Sequence, residues 1–381
     1  MDVFINDVSA FLPNEPVDNE NIEKILGQLD NVCSKTKSIV LRNNQIKTRY
    51  YAIDPKTRKL THTNSQLAAE AIKRLKPYEN FSINDIELLC CGSSSPDVIL
   101  PGHAVMVHGE LGSNSCEVVS FSGICISGIS SLKYAFMNIA NGLSNNAVSS
   151  GSELSCASFR KEFFNQNISK NQDVENYPEL AFDADFLRWM LSCGAGAMFL
   201  SNKKNENGIS FKIEWIDILS HAGKMETCMY AGGIKDENGN VVGFRGFDSF
   251  GDALEKNVFA LRQDVKLLNQ EIAEVIVDKT LPVIAKKRNL KPEDITWFLP
   301  HFSSGYFKDK IKKRLEAIGF DIPYAKWFSN LYTKGNTGSA AVYIILEELY
   351  RSEKLRVNDK ILIMVPESGR FSTAYALLTV V

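Results

Sequence analysis

The chain lacks several things at once, and each absence removes a class of function. No apolar run reaches the length needed to cross a bilayer. The opening residues, Met-Asp-Val-Phe-Ile-Asn-Asp-Val, carry acids where a secretory signal carries basic residues and an apolar core. The expected location is cytoplasmic, with no membrane span. Charge of one sign is missing too. The formal net charge is -2 over 381 residues, and the lysines are scattered, so no electrostatic footprint for nucleic acid is present. Cysteines stand at 33, 90, 91, 116, 125, 156, 193 and 228. None forms a Cys-x-x-Cys pair or a cysteine–histidine ligand spacing, so no metal is expected and the thiols should be reduced. What remains is the composition of a globular protein with ample core for one large domain or two ordinary ones.

Against this plain background the chain repeats itself. Ser82-Ile-Asn-Asp-Ile-Glu-Leu-Leu-Cys-Cys-Gly-Ser and Lys291-Pro-Glu-Asp-Ile-Thr-Trp-Phe-Leu-Pro-His-Phe-Ser both run from an acidic turn through a short apolar strand to small hydroxyl residues. A helical pattern precedes each: Leu67, Ala68, Ala71, Ile72 and Leu75 in the first, Ile272, Val275, Ile276, Leu281 and Ile284 in the second. Downstream, Gly123-Ile-Cys and Gly335-Asn-Thr-Gly each open a further helix. Their apolar stripes are Ile129, Leu132, Phe136 and Ile139, and Val342, Ile345, Leu346 and Leu349. Strands ending in Gly and Ser follow, at 147–153 and 361–369. Strand and helix alternating in this order predict an α/β fold with helices covering largely parallel sheets. The doubling predicts two halves, 1–205 and 206–381, divided at the polar stretch Lys203-Lys-Asn-Glu-Asn-Gly208. Residues 159–190, rich in aromatics, and 221–255, with the hairpin turn Lys235-Asp-Glu-Asn-Gly-Asn, read as insertions that shape a site.

Cys125 lies in the loop that opens a buried helix, where free amides and the helix dipole favour an anion and lower a thiol pKa. The plain reading is a packed core thiol. His301 and Asn336 occupy corresponding places in the second half. Their plain readings are a satisfied core histidine and an ordinary N-cap. Other templates fit less well. Gly123-Ile-Cys-Ile-Ser-Gly lacks the second glycine of a nucleophile elbow. Cys193-Gly-Ala-Gly-Ala lacks the third glycine of a dinucleotide loop and runs into a strand-like Met-Phe-Leu, which points to close backbone packing.

Taken together, these residues resemble the β-ketoacyl-acyl-carrier-protein synthase III kind of condensing enzyme, in the thiolase superfamily. Gly-Ile-Cys-Ile-Ser-Gly resembles the nucleophile loop, Leu-Pro-His the histidine motif, and Gly-Asn-Thr-Gly-Ser-Ala-Ala the asparagine motif. Ile46-Lys-Thr-Arg-Tyr, the stretch from Ser95 to Gly112, and Gly194-Ala-Gly-Ala support the match. The resemblance implies a duplicated thiolase-like fold with α-β-α-β-α layers and a homodimer. It implies that Cys125 takes up an acyl group from a thioester on acyl carrier protein or coenzyme A. The backbone amides of Cys125 and of Ser368 or Gly369 would hold the thioester oxygen. His301 and Asn336 would stabilise the enolate of a malonyl or β-ketoacyl thioester, with no metal or redox cofactor. Glu153, at a strand end, is an additional acid/base candidate whose plain reading is a structural carboxylate.

Several positions depart from that family's pattern: Phe302-Ser-Ser after the histidine, Ser192-Cys before Gly194, Pro366-Glu-Ser-Gly-Arg at the C-terminal turn, and no tryptophan before Ile46 to stack an adenine. Leu100 stands where head-to-head condensing relatives carry a glutamate. These departures turn the expectation from an acetyl-CoA primer toward a medium or long acyl chain on a carrier protein, with Phe159, Phe163, Phe164, Phe182, Phe186 and Trp189 lining or capping its tunnel. At a finer level the chain resembles ketosynthases that form dialkylresorcinol or cyclohexanedione rings. The alternatives are an acyltransferase to oxygen, nitrogen or sulfur, and a non-catalytic partner subunit of a ketosynthase heterodimer.

Overall fold

The computed structural model describes residues 1–28, 35–163 and 186–381. Nine strands form the main sheet: β1 (Phe4–Phe11), β2 (Leu88–Ser93), β3 (Glu117–Ser122), β4 (Asn146–Glu153), β5 (Gly194–Ser201), β6 (Phe211–Ser220), β7 (Trp297–Pro300), β8 (Lys360–Glu367) and β9 (Ser372–Val380). Their order is β7-β8-β9-β6-β1-β5-β4-β2-β3. Strands β6 and β1 meet only through Phe4–Lys212 and Ile5–Phe211, so the sheet is two sheets joined at a short seam. Reading outward from that seam, the two sides repeat. β1-β5-β4-β2-β3 pair as antiparallel, antiparallel, parallel, parallel. β6-β9-β8-β7 pair as antiparallel, antiparallel, parallel, and a parallel bridge from Phe298 to Trp327 stands where β3 stands in the other half. The fold is α/β with duplicated halves.

The sheets are mixed rather than largely parallel. One cause is local: β8 and β9 are joined by the tight turn Ser368–Phe371, and so short a connection permits only antiparallel pairing. The core divides by layer. Helices α3 (Ile126–Ala140) and α7 (Ala341–Arg351) share one apolar cluster with residues of both sheets, among them Ile5, Cys90, Met198, Leu299 and Ile363. The outer helices belong to a second cluster. They are α1 (Asn64–Ile72) and α2 (His103–Leu111) in one half, and α4 (Val265–Glu274), α5 (Leu281–Arg288) and α6 (Lys308–Ala317) in the other. The expected stripes hold: Ile129, Leu132, Ile139, Leu346 and Leu349 are fully buried.

Small residues are needed where the halves cross. A Cβ on Gly128 in α3 or on Gly151 in β4 would collide with the same Ser339 carbonyl, and one on Gly196 would meet Tyr343. The glycines around the nucleophile loop thus serve close helix–helix approach, and Gly194-Ala-Gly-Ala opens β5 rather than a nucleotide loop. The turn after Lys235 does form a hairpin, with Gly233–Lys235 paired to Val241–Gly243.

Candidate active site

The carboxyl ends of β2, β4, β7 and β8 and the starts of α3 and α7 converge on one cavity of about 630 Å³. Cys125, Glu153, Asn336 and Ser368 all line it. Residues more than two hundred positions apart are brought together because each half delivers its strand ends and its central helix to the same point.

Cys125 is the N-cap of α3 and is buried. Burial pushes its thiol pKa up, and Glu153 and Glu367 push it further. The expectation that the helix terminus lowers it is therefore overturned: desolvation of a thiolate among carboxylates outweighs the dipole, and the resting sulfur is a neutral thiol. Asn336 closes a local turn just before α7. Its Oδ1 accepts a hydrogen bond from Gly338 N at 3.0 Å, a capping bond, and this fixes the amide so that Nδ2 has no acceptor among the described residues. The backbone around it is fixed as well: Asn336 N donates to Met190 O at 3.1 Å and Ser192 N donates to Asn336 O at 2.8 Å. His301 follows β7, with its backbone N donating to Met364 O at 2.8 Å. It is buried and held neutral, its pKa brought down to about 4 by desolvation. It is not among the lining residues, whereas its neighbour Ser303 is.

Glu153 is held by four donors: Ser94 N (3.1 Å), Ser94 Oγ (2.6 Å), Ser95 Oγ (2.8 Å) and Ser339 N (3.1 Å). It ties the serine loop after β2 to the start of α7, which supports its structural reading, although burial still raises its pKa. Asp97, also in the wall, caps α1 through the amides of Asn64 (2.7 Å) and Ser65 (2.8 Å). Ser368 Oγ donates to Gln263 Oε1 at 3.2 Å, and Gly369 O accepts from Cys228 N at 2.8 Å. The C-terminal turn is thereby stitched to the hairpin insertion. The amides of Ser368 and Gly369 make no hydrogen bond among the described residues.

The described part of residues 159–190 supplies little of the aromatic lining expected of it. Phe159 and Trp189 are buried in the outer core, Phe186 packs against that core, and of the described aromatics in this stretch Phe163 lines the cavity. Phe164 and Phe182 lie outside the described residues, as does Cys33. Much of the apolar wall comes from the second insertion and the residues just after it, through Met229, Tyr230, Ala231, Phe259 and Leu261, with Leu154, Leu187, Met190 and Leu191 facing the same cavity. The sequence carries a signal for this only in the apolar residues flanking the hairpin.

A family model described as "3-Oxoacyl-[acyl-carrier-protein (ACP)] synthase III C terminal" matches residues 285–377. A β-ketoacyl-[acyl-carrier-protein] synthase III of Clostridium perfringens (strain SM101 / Type A) is 26% identical over 376 residues, covering 97% of this chain and 96% of that one. Among solved structures, the tetronic acid condensing enzyme AbyA1 superposes with a TM-score of 0.75 at 18% identity, covering 99% of each chain. Xanthomonas campestris OleA, solved with bound lauric acid and lauroyl-CoA, superposes with a TM-score of 0.73 at 18% identity, covering 100% of this chain and 99% of that one. The fold is the one these proteins share.

Proposed function

We propose that this chain, a ketosynthase III-like condensing enzyme of the thiolase superfamily, joins two thioester-borne acyl units through an acyl-Cys125 intermediate. The observation that carries the proposal is the convergence of a thiol, an amide with an unoccupied Nδ2, and unbonded backbone amides on one cavity. In the first step Cys125 Sγ attacks the donor thioester carbonyl and the carrier thiol leaves. Charge developing on the oxygen is taken up by the amides of Cys125 and of Ser368 or Gly369, an oxyanion arrangement in which one donor is typically worth about a hundred- to a thousandfold in rate. In the second step the Asn336 amide and the neutral His301 imidazole donate hydrogen bonds to the extender's thioester oxygen. Loss of carbon dioxide from a malonyl extender, or of an α-proton from a β-ketoacyl one, gives the enolate they stabilise; it attacks the acyl-Cys125 carbonyl, forms the carbon–carbon bond and expels the Cys125 sulfur, which regains a proton from solvent. Glu153 serves as the frame that fixes the Asn336 turn. Neither step requires a metal or redox cofactor.

The donor is proposed to be a medium or long acyl chain on acyl carrier protein, and the extender a malonyl or β-ketoacyl thioester. The apolar wall around Met229, Phe259 and Leu261 supports this, since each methylene buried there contributes about 0.8 kcal/mol. The setting is proposed to be the cytoplasm, where a thiol nucleophile stays reduced. Cys90, Cys91, Cys116, Cys125, Cys156 and Cys193 form no disulfide, and no helix among the described residues is long and apolar enough to cross a membrane. A homodimer is proposed through the open edge of β3, next to the exposed Ile99 and Leu100. The halves are proposed to divide at residues 205 and 206, between β5 and β6.

Intact-protein mass spectrometry after incubation with a panel of acyl thioesters tests the reading. Transfer of the acyl group to water, an alcohol or an amine without carbon–carbon bond formation would replace condensation by simple acyl transfer. Failure of every thioester to modify the folded protein would point to a non-catalytic subunit.

A further inference from the structure

Among the described residues the cavity wall carries three charged side chains, Asp97, Glu153 and Arg160. Both carboxylates are engaged, Asp97 by the two amides it caps and Glu153 by its four donors. Arg160 is different. It stands at the end of the short helix Cys156–Phe159 that follows β4, where the backbone becomes extended. Its guanidinium makes no ion pair or hydrogen bond among the described residues, and its Nε is buried without a partner. A ring fixes it instead. Phe163 N donates to Arg160 O at 3.0 Å, and this turn sets the Phe163 ring centroid 5.0 Å from Arg160 Cζ. A guanidinium stacked on an aromatic face keeps the N–H groups at its edge free to donate.

We propose that Arg160 binds the phosphate of the phosphopantetheine arm that carries each thioester to Cys125, and thereby selects phosphorylated donors. The inference rests on the reading of Cys125 as the acyl acceptor. Depth in the cavity supports it. Cys125, Glu153 and Asn336 are buried, whereas Arg160 is half-buried and its neighbours in the wall, Ser158 and Phe163, are exposed. The arm sets its phosphate far from its thioester sulfur. When the thioester reaches the buried thiol, the phosphate is left toward the solvent end, where Arg160 stands. Coenzyme A and acyl carrier protein both present this phosphate.

The physical reason is an unbalanced charge. A cation partly withdrawn from water, with one nitrogen wholly buried and no counter-ion, gains most from an anion that arrives with the ligand. The flat fork of a guanidinium matches two phosphate oxygens at once, and hydrogen bonds between ionised partners are the strong ones. No other cation lines the cavity among the described residues, and its two carboxylates repel an anion. The acyl chain has its own place against Met229, Phe259 and Leu261, an apolar stretch with no charge to answer. Arg160 is therefore the point at which a substrate anion is neutralised, and on the arm that anion is the phosphate.

The experiment compares wild type, Arg160→Gln and Arg160→Lys, with thermal unfolding to confirm that each is folded. Loading of Cys125 is followed by intact mass with octanoyl-pantetheine, octanoyl-phosphopantetheine, octanoyl-CoA and octanoyl-acyl carrier protein. Wild type should load the three phosphorylated donors at lower concentration than octanoyl-pantetheine. Arg160→Gln should raise the half-saturating concentration of all three by roughly tenfold to a hundredfold, leave the saturated rate near wild type, and leave octanoyl-pantetheine unchanged. Arg160→Lys should recover part of the difference. A folded Arg160→Gln protein that keeps the phosphate preference, or loses octanoyl-pantetheine equally, overturns the proposal. So does a loss confined to octanoyl-CoA, whose nucleotide bears phosphates of its own, or a wild-type preference for succinyl-pantetheine that Arg160→Gln abolishes. Calorimetric titration with phosphopantetheine and pantetheine, which carry no acyl group, decides the role of Arg160 even if no thioester loads wild type. Failure of loading would instead overturn the reading of the chain as a condensing enzyme.

Discussion

Two helices begin at the cavity, one from each half, and they begin differently. α3 turns α-helical at once, with Cys125 as its N-cap and no side-chain cap bond. α7 is preceded by a 3-10 turn, Gly338–Ala340, and Asn336 folds its own Oδ1 back onto Gly338 N. The strand orders around them repeat, so the scaffold offers two equivalent positions. In the proposed reading one holds the nucleophile, and the other holds a hydrogen-bond donor whose orientation is fixed by its own turn. A duplicated frame supplies proximity, and local turn geometry supplies the chemistry.

The most severe break of this comparison is Cys125→Ala. It should abolish acyl-enzyme formation while leaving thermal unfolding close to wild type, since the change removes little more than one sulfur; intact mass and calorimetry check both parts. Breaking the other half should give a different failure. His301→Ala and Asn336→Ala should still load Cys125, yet condensation from preloaded enzyme should fall by roughly a hundred- to a thousandfold, as for loss of an oxyanion donor. Stopped reactions read by mass separate the two steps. A variant that blocks loading but spares condensation would mean that the two halves do not divide the work in this way.

Much of this division was legible in the sequence because it is written in local motifs. Apolar spacing revealed the stripes of α3 and α7, and a short strand ending in small hydroxyl residues revealed β2 and β7. What was not legible depends on contacts between distant residues. The direction of β5 and β6 follows from pairing with β1, which no local pattern encodes. β3, Glu-Val-Val-Ser-Phe-Ser, is an open edge strand without the apolar run of a central one. The wall at Met229 and Phe259 is set by Gly369 O accepting from Cys228 N, a bond between an insertion and the last turn. The rise of the Cys125 pKa reflects burial first and then Glu153 and Glu367, which only the folded chain brings near.

The seam between halves predicts smaller effects. Gly151→Ala places a methyl against the Ser339 carbonyl and 2.9 Å from Tyr343 Cε2, and such overpacking should destabilise by about 1–3 kcal/mol in chemical denaturation. His301 gives a pH signature. Its pKa is about 4 in the folded protein and about 6.5 when unfolded, so between these values the unfolded state binds more protons. Its contribution to stability is therefore complete above about pH 6.5 and is lost as pH falls toward 4. Wild type should lose stability over that interval more steeply than His301→Asn. Gly109→Ala is the contrasting control: its Cβ would meet nothing within 4 Å in the exposed face of α2, so it should stabilise by about 0.5–1 kcal/mol.

The most direct test of the central claim is one time course of intact mass. Wild-type protein is mixed with a medium-chain acyl-carrier-protein thioester, and malonyl-carrier protein is added after the adduct has formed. The account predicts an acyl adduct on Cys125 that builds up, then disappears on addition of the extender as a β-ketoacyl thioester is released. An adduct on another residue, or condensation product formed by folded Cys125→Ala, would contradict it.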